Sequence, residues 1–269
     1  MQAAENVLVT GASSGIGAET ARFLARRGLR VFGTSRRERA PSPDADGVEW
    51  LALDVTDDAS VSRAVAAMRA ATGAIDAVVC NAGMSIFGSV EETDVDAARR
   101  QLDTNYFGVL RVLRAVLPAM RERGRGRVVL VGSLAGRAPI PFQSHYSSSK
   151  AAIDALALAL RNEVGPLGIG VTLVEPGDIA TPFNDAMDWG DPSSSVYGAR
   201  IRACEEHIRT SLPKAPPPIV VARAIHRALV ARRPRVRHAV GDASWLVPIG
   251  RRLLPDGISV ELIRRTFGV

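Results

Sequence analysis

Only two cysteines, Cys80 and Cys204, occur among 269 residues, which excludes a disulfide framework. Neither lies at ligand spacing from another Cys or from a His, and no Asp/Glu/His set gathers for a metal centre, so no metal is expected. Cys80, closing the run Ile75-Asp-Ala-Val-Val, reads as a small buried apolar side chain, and a reducing cytoplasm suits it. Long apolar runs are missing too. The longest are strand-sized or broken by arginine, which excludes integral membrane insertion. The chain enters an apolar run at once, at Asn6-Val-Leu-Val-Thr, with no basic leader or cleavable signal expected. A concentrated basic face is lacking as well. Net charge is +6 and arginine far outnumbers lysine, but the arginines are dispersed, from Arg22, Arg26 and Arg27 through Arg111 and Arg114 to the last residues. No nucleic-acid partner is expected from that spread.

What is present is alternation. Short β-branched runs at 6–10, 29–34, 49–53, 75–80, 127–132, 169–174 and 235–240 are separated by helical periods. Those periods cover 16–27, 59–72, 96–122, 146–164 and 219–231. This order predicts an α/β fold: one doubly wound domain over 1–269, with a central parallel sheet and helices on both faces. An apolar content of 46% is enough for one large core. Ala151, Ala152, Ala155 and Ala159 permit close approach of another helix and mark a candidate subunit interface, or packing against the sheet. The stretch 182–218 is rich in Pro, Asp, Gly and Ser around a helix candidate at 195–209, as expected of a substrate-loop insertion that could act as a lid. In the segment 242–269, Trp245, Leu246, Leu253, Leu254 and Leu262 supply apolar material for docking on the body or on a partner.

Thr10-Gly-Ala-Ser-Ser-Gly-Ile-Gly17 follows the first strand and opens the first helix. Gly11 can make the tight turn, Gly15 can admit a pyrophosphate close to the backbone, and Gly17 can let helix and strand pack closely. Free amides at the helix N-terminus then suit phosphates. No Gly-Lys-Ser/Thr ending follows, which disfavours phosphoryl transfer. After the second strand, Val31-Phe-Gly-Thr-Ser-Arg-Arg37 carries no acid where an NAD site needs one for the ribose hydroxyls. Arg36, helped by Arg37 and Ser13, could instead bind a 2′-phosphate, which points to NADP; the plain alternative is a pair of solvated arginines. Asp54 could accept a hydrogen bond from adenine, and Asn81-Ala82-Gly83 offers close approach or simply a turn.

Tyr146 and Lys150 stand four residues apart at the start of a helical period, hence on one face. An ammonium beside a phenol favours the phenolate, bringing a group of ordinary pKa about 10 toward use as a proton donor and acceptor. Any amphipathic helix can carry such a pair, so the spacing acquires meaning only beside the glycine-rich turn.

Together these motifs resemble those of the classical short-chain dehydrogenase/reductase family from about Asn6 to Thr181, and specifically its NADP-linked ketone and hydroxysteroid dehydrogenase branch. The resemblance implies a Rossmann fold and a catalytic set of Asn105, Ser133, Tyr146 and Lys150. It implies a cofactor held by Gly11, Ser13, Ser14, Gly15, Ile16 and Gly17, by Ser35, Arg36 and Arg37 after the second strand, and by Asp54 and Val55 after the third. Asn81, Ala82 and Gly83 follow the fourth strand, and Pro176, Gly177, Ile179 and Thr181 follow the sixth. Tyr146 and Lys150 complete that surface. In this reading Tyr146 is the general acid/base, Ser133 polarises a carbonyl, Lys150 lowers the Tyr146 pKa and binds the nicotinamide ribose, and Asn105 organises a water leading to Lys150. The implied partners are a small carbonyl or alcohol substrate and further copies of the chain, as homodimer or homotetramer. His145 does not share the face of Tyr146 and is expected in a pocket, surface or turn role. Two other readings stay open: a low-turnover NADP-binding regulator, and an epimerase or dehydratase of an activated sugar.

Overall fold

Each β-branched run pairs as a strand: β1 (Asn6–Val9), β2 (Arg30–Ser35), β3 (Val48–Ala52), β4 (Ala77–Cys80), β5 (Gly126–Val131), β6 (Ile169–Pro176) and β7 (Arg237–Val240). The computed structural model describes residues 5–39, 43–185, 187–189 and 195–269. All pairings are parallel, in the order β3-β2-β1-β4-β5-β6-β7. Winding therefore reverses between β1 and β4, and that reversal opens a crevice at the carboxyl ends of the strands. The crossovers are carried by α1 (Gly15–Ala25), α2 (Asp58–Thr72), α3 (Val95–Leu102), α4 (Gly108–Glu122), α5 (Ser144–Val164) and α7 (Ile219–Val230). α6 (Gly198–Ser211), α8 (Leu246–Leu253) and α9 (Asp256–Thr266) lie outside this winding.

Two core layers follow from the two-residue period of the strands. Leu8, Val78, Val128 and Leu130 pack with Val112, Met120 and Ile153 of α4 and α5 on one face. Val7, Val9, Val79 and Val129 pack with Leu24, Ile225 and Leu229 of α1 and α7 on the other. Leu8, Leu24 and Leu130 are fully buried, where truncation to alanine costs about 2–5 kcal/mol.

The helix expected over 96–122 is not continuous. α3 ends at Leu102, a π-helical turn spans Asp103–Phe107, and α4 starts at Gly108. The turn closes through i→i+5 bonds and opens with the polar residues Asp103, Thr104 and Asn105, so the apolar pattern does not mark its place. α6 fulfils the helix expected near 195–209, and residues 186 and 190–194 of the expected 182–218 insertion lie outside the described residues. The tail packs Phe267 and Val269 on the body and leaves other apolar side chains exposed. Trp245 is 70% exposed and Leu253 72%, while Phe267 stands edge-on to His207 of α6 at 4.8 Å. Of the alanine stripe on α5, Ala151, Ala155 and Ala159 face outward, whereas Ile153, Ala157 and Leu160 meet the sheet. No helix among the described residues is long and apolar enough to cross a membrane.

Candidate active site

After β1 the chain turns at Gly11, whose φ of +64° favours glycine, and a Cβ there would stand 2.8 Å from Cα of Ala82. A Cβ on Gly17 would strike the Gly11 carbonyl and the Asn81 side chain. Asn81 explains the crowding: its Nδ2 donates to the carbonyls of Thr10 and Gly11 at 3.0 and 3.1 Å. The backbone amides of Asn81 and Ala82 donate to Thr10 Oγ1 at 3.0 and 3.1 Å. Asn81 and Ala82 therefore brace the turn from beneath. Ser13 and Ser14 are exposed, and Ser14, the N-cap of α1, makes no side-chain capping bond. The first amides of α1, beginning with Gly15 and Ile16, are thus uncapped by that side chain, as an anion site requires. Across the crevice, a Cβ on Gly15 would lie 3.4 Å from Cβ of Thr181. The turn and the segment after β6 face each other.

At the end of β2, Ser35 is buried and its hydroxyl donates to the Arg37 carbonyl at 2.5 Å, while Arg36 and Arg37 are exposed. Asp54 accepts the Thr56 amide at 2.9 Å and the Thr56 hydroxyl at 2.7 Å. Burial pushes the Asp54 carboxyl up, but these bonds and the positive charges of Arg36 and Arg111 outweigh it and hold it below the usual range. Val55 is a packing residue, buried where a Cβ on Gly108 would stand 2.8 Å from it. Beyond β6, the Gly177 amide donates to the Val240 carbonyl at 2.8 Å, and Ile179 is buried.

Ser133, Tyr146 and Lys150 converge at the carboxyl end of β5. Ser133 caps a one-turn 3-10 helix, Leu134–Gly136, by accepting the Ala135 amide at 3.1 Å. Tyr146 and Lys150 occupy successive turns of α5, with Nζ 5.7 Å from the phenol ring centroid. The Tyr146 hydroxyl is pushed up to about 12, chiefly by desolvation; the Ser133 hydrogen bond opposes this and the charge of Asp178 adds to it. Tyr146 is half-buried, and its phenol is protonated at neutral pH. Burial lowers Lys150 to about 8, and its ammonium donates to the Val131 carbonyl at 3.0 Å. The expected depression of the Tyr146 pKa by Lys150 is therefore corrected for the protein on its own. The ammonium is directed at main chain, and desolvation dominates the phenol.

Asn105 is buried in the π-helical turn. Its Oδ1 accepts the Met84 amide at 2.8 Å, and its Nδ2 donates to the Met84 carbonyl at 2.9 Å and to Ser149 Oγ at 3.0 Å. This side chain holds the loop after β4, beside Gly83, where a Cβ would stand 3.3 Å from Oδ1. Ser149 in turn donates to the Tyr146 carbonyl at 2.7 Å, tying Asn105 to the helix that carries the phenol. Sequence reasoning missed Ser149, although Ser147 and Ser149 are buried while Ser148 is exposed. It also missed Phe183, whose ring lies 6.0 Å from that of Tyr146. His145 is half-buried, and its Nε2 has no hydrogen-bond partner. Next to Thr181, a cavity of about 290 Å³ is walled by Asn184, Trp189, Arg209 and Leu212, which joins the segment after β6 to α6.

A parallel sheet with this strand order, a glycine turn on β1 and a Ser–Tyr–Lys cluster at β5 defines a Rossmann-type nucleotide-dependent enzyme class. The comparisons are specific. The family model for short chain dehydrogenases matches residues 5–190. A 3-ketodihydrosphingosine reductase from Bacteroides thetaiotaomicron is 42% identical over 179 residues, covering 66% of this chain and 65% of that protein. Human 17-beta-hydroxysteroid dehydrogenase type 1 is 38% identical over 194 residues, 67% of this chain and 58% of that one. Both alignments thus span less than two thirds of the relative. A crystal structure of a short-chain dehydrogenase from Streptomyces avermitilis superposes with a TM-score of 0.84 at 34% identity, over 97% of this chain and 96% of that one. The chain belongs to the short-chain dehydrogenase/reductase family of oxidoreductases.

Proposed function

We propose that the protein is an NADP(H)-dependent oxidoreductase that interconverts an apolar ketone and its secondary alcohol. One observation carries this reading: a half-buried phenol, hydrogen-bonded by Ser133, stands one helical turn from a buried ammonium. Bound NADPH would supply a hydride to the carbonyl carbon. Tyr146, protonated at neutral pH, donates its proton to the carbonyl oxygen as charge develops there, and Ser133 hydrogen-bonds the same oxygen. Lys150 is assigned to the nicotinamide ribose. Asn105 positions this machinery through Ser149 and Met84. In the oxidative direction the same groups return the proton.

A turn that side chains would clog, ending at an uncapped helix N-terminus, fits a pyrophosphate. Exposed Arg36 and Arg37, with Ser13 across the turn and no acid at the end of β2, fit a 2′-phosphate. The two named relatives are a reductase of 3-ketodihydrosphingosine and a dehydrogenase of 17-beta-hydroxysteroid, which supports an apolar ketone or hydroxy compound here. Phe183 beside Tyr146 supplies an apolar wall for it, and α6 with the cavity at Thr181 acts as its cover. The exposed Phe107, Leu158 and alanine face of α5 suit association as a homodimer or homotetramer. Cys80 and Cys204, both free and buried, suit the cytoplasm.

The test is a panel of sphingoid, steroid and aromatic ketones, followed by NADPH absorbance. Ketone-dependent NADPH oxidation is expected. Tight NADPH binding with no turnover on any ketone, or on the matching alcohols with NADP, would contradict the proposal.

A further inference from the structure

Glu175, on β6 next to Pro176, is buried, with its side chain only 2% exposed, yet it faces two guanidiniums. Its carboxylate receives Arg137 in a two-pronged bond, Nε to Oε1 at 2.6 Å and Nη2 to Oε2 at 2.7 Å. Arg237 of β7 donates to Oε1 at 3.1 Å and also pairs with Asp154 of α5. Arg137 and Arg237 meet on this one side chain, and Arg237 extends the link to α5 through Asp154. Arg137 directly follows the Leu134–Gly136 turn that Ser133 caps. That turn packs on α5 at Lys150: a Cβ on Gly136 would stand 2.9 Å from the Lys150 backbone. Asp154 lies one helical turn beyond Lys150.

Burying charges here is not an efficient route to stability, since apolar residues of similar size commonly do as well. A bidentate guanidinium–carboxylate pair does something apolar contact cannot, fixing distance and angle together. We propose that Glu175 is a positioning residue: acting through Arg137, it sets the place of Ser133 relative to Tyr146 and Lys150. Glu175 itself touches no reacting atom. The inference rests on the reductase reading of the site, and the test separates the two.

Glu175→Gln keeps the shape and loses the charged fork. A displacement of about 1 Å at a reacting group can cost on the order of 100-fold, so kcat should fall by about 10–100-fold, with the Kd for NADPH unchanged. Arg137→Gln, which leaves Glu175 paired with Arg237, should give a similar loss, and it serves if Glu175→Gln fails to fold. The decisive measurement is the double mutant with Ser133→Ala. Residues acting as one unit are non-additive, so either substitution should lower kcat by less than about threefold in that background. Full kcat in Arg137→Gln, or an undiminished loss in the Ser133→Ala background, would overturn the inference and leave the reductase reading intact. Normal turnover by Ser133→Ala alone would overturn the inference, and absence of ketone turnover by the wild type would overturn the reductase reading with it.

Discussion

Lys150 donates its ammonium to the carbonyl of Val131 at 3.0 Å, two residues before Ser133. The bond anchors the charged end of α5 to the strand that carries the serine. It does not offset burial, which lowers Lys150 from its ordinary 10.5 to about 8. At neutral pH the folded protein thus holds a buried charge that the unfolded chain would solvate. Each pKa unit is about 1.4 kcal/mol, so the cost is on the order of 3 kcal/mol. Lys150→Met should therefore raise the melting temperature at pH 7 while abolishing activity. The sign with pH follows from the depressed value: below pH 8 both states are protonated and the cost is complete, and above 10.5 it is gone. Wild-type stability should climb relative to Lys150→Met as pH rises from about 8 to 10.5. Melting curves of both proteins across that range check it; a pH-independent difference contradicts it.

Asn81→Ala removes both bonds to the Thr10 and Gly11 carbonyls. Two acceptors left beneath the turn should cost about 1–3 kcal/mol each at most, and the turn should loosen. A melting temperature lowered by several degrees, with weaker NADPH binding, is the expected result in calorimetry and titration.

The fold was legible because parallel strands buried on both faces read as continuous β-branched runs, and all seven are found. The site was legible where spacing is covalent: the glycine turn, and Tyr146 with Lys150 one helical turn apart. Contacts across the chain were not. Ser149 joins Asn105, which sits in the π-helical turn, to Tyr146 across a separation of 44 residues that no local spacing encodes. The ammonium of Lys150 was expected near the phenol, but its direction is set by a strand carbonyl that no local pattern encodes.

Arg36 lies exposed at the end of β2. Charge-assisted bonds of this kind contribute about 1.5–3 kcal/mol, so Arg36→Ala should weaken NADPH by about 10–100-fold and NADH hardly at all. Equal losses in fluorescence titrations with the two cofactors would remove the 2′-phosphate assignment.

Phe183 packs at 6.0 Å from Tyr146 and is 36% exposed, as a pocket wall should be. Phe183→Ala should raise KM for a bulky apolar ketone by about tenfold, from lost apolar contact, with NADPH affinity retained. Steady-state kinetics beside a cofactor titration resolves this, and an unchanged KM would place the substrate elsewhere.

The most direct measurement is single-turnover ketone reduction by Tyr146→Phe at saturating NADPH. Removing the hydroxyl deletes the proton donor and leaves the ring, Ser133 and the nicotinamide site in place. A rate about 100–10,000-fold below wild type is expected, with the Kd for NADPH unaltered. Reduction at close to the wild-type rate would mean that the proton comes from another group, and the assignment of Tyr146 would fall.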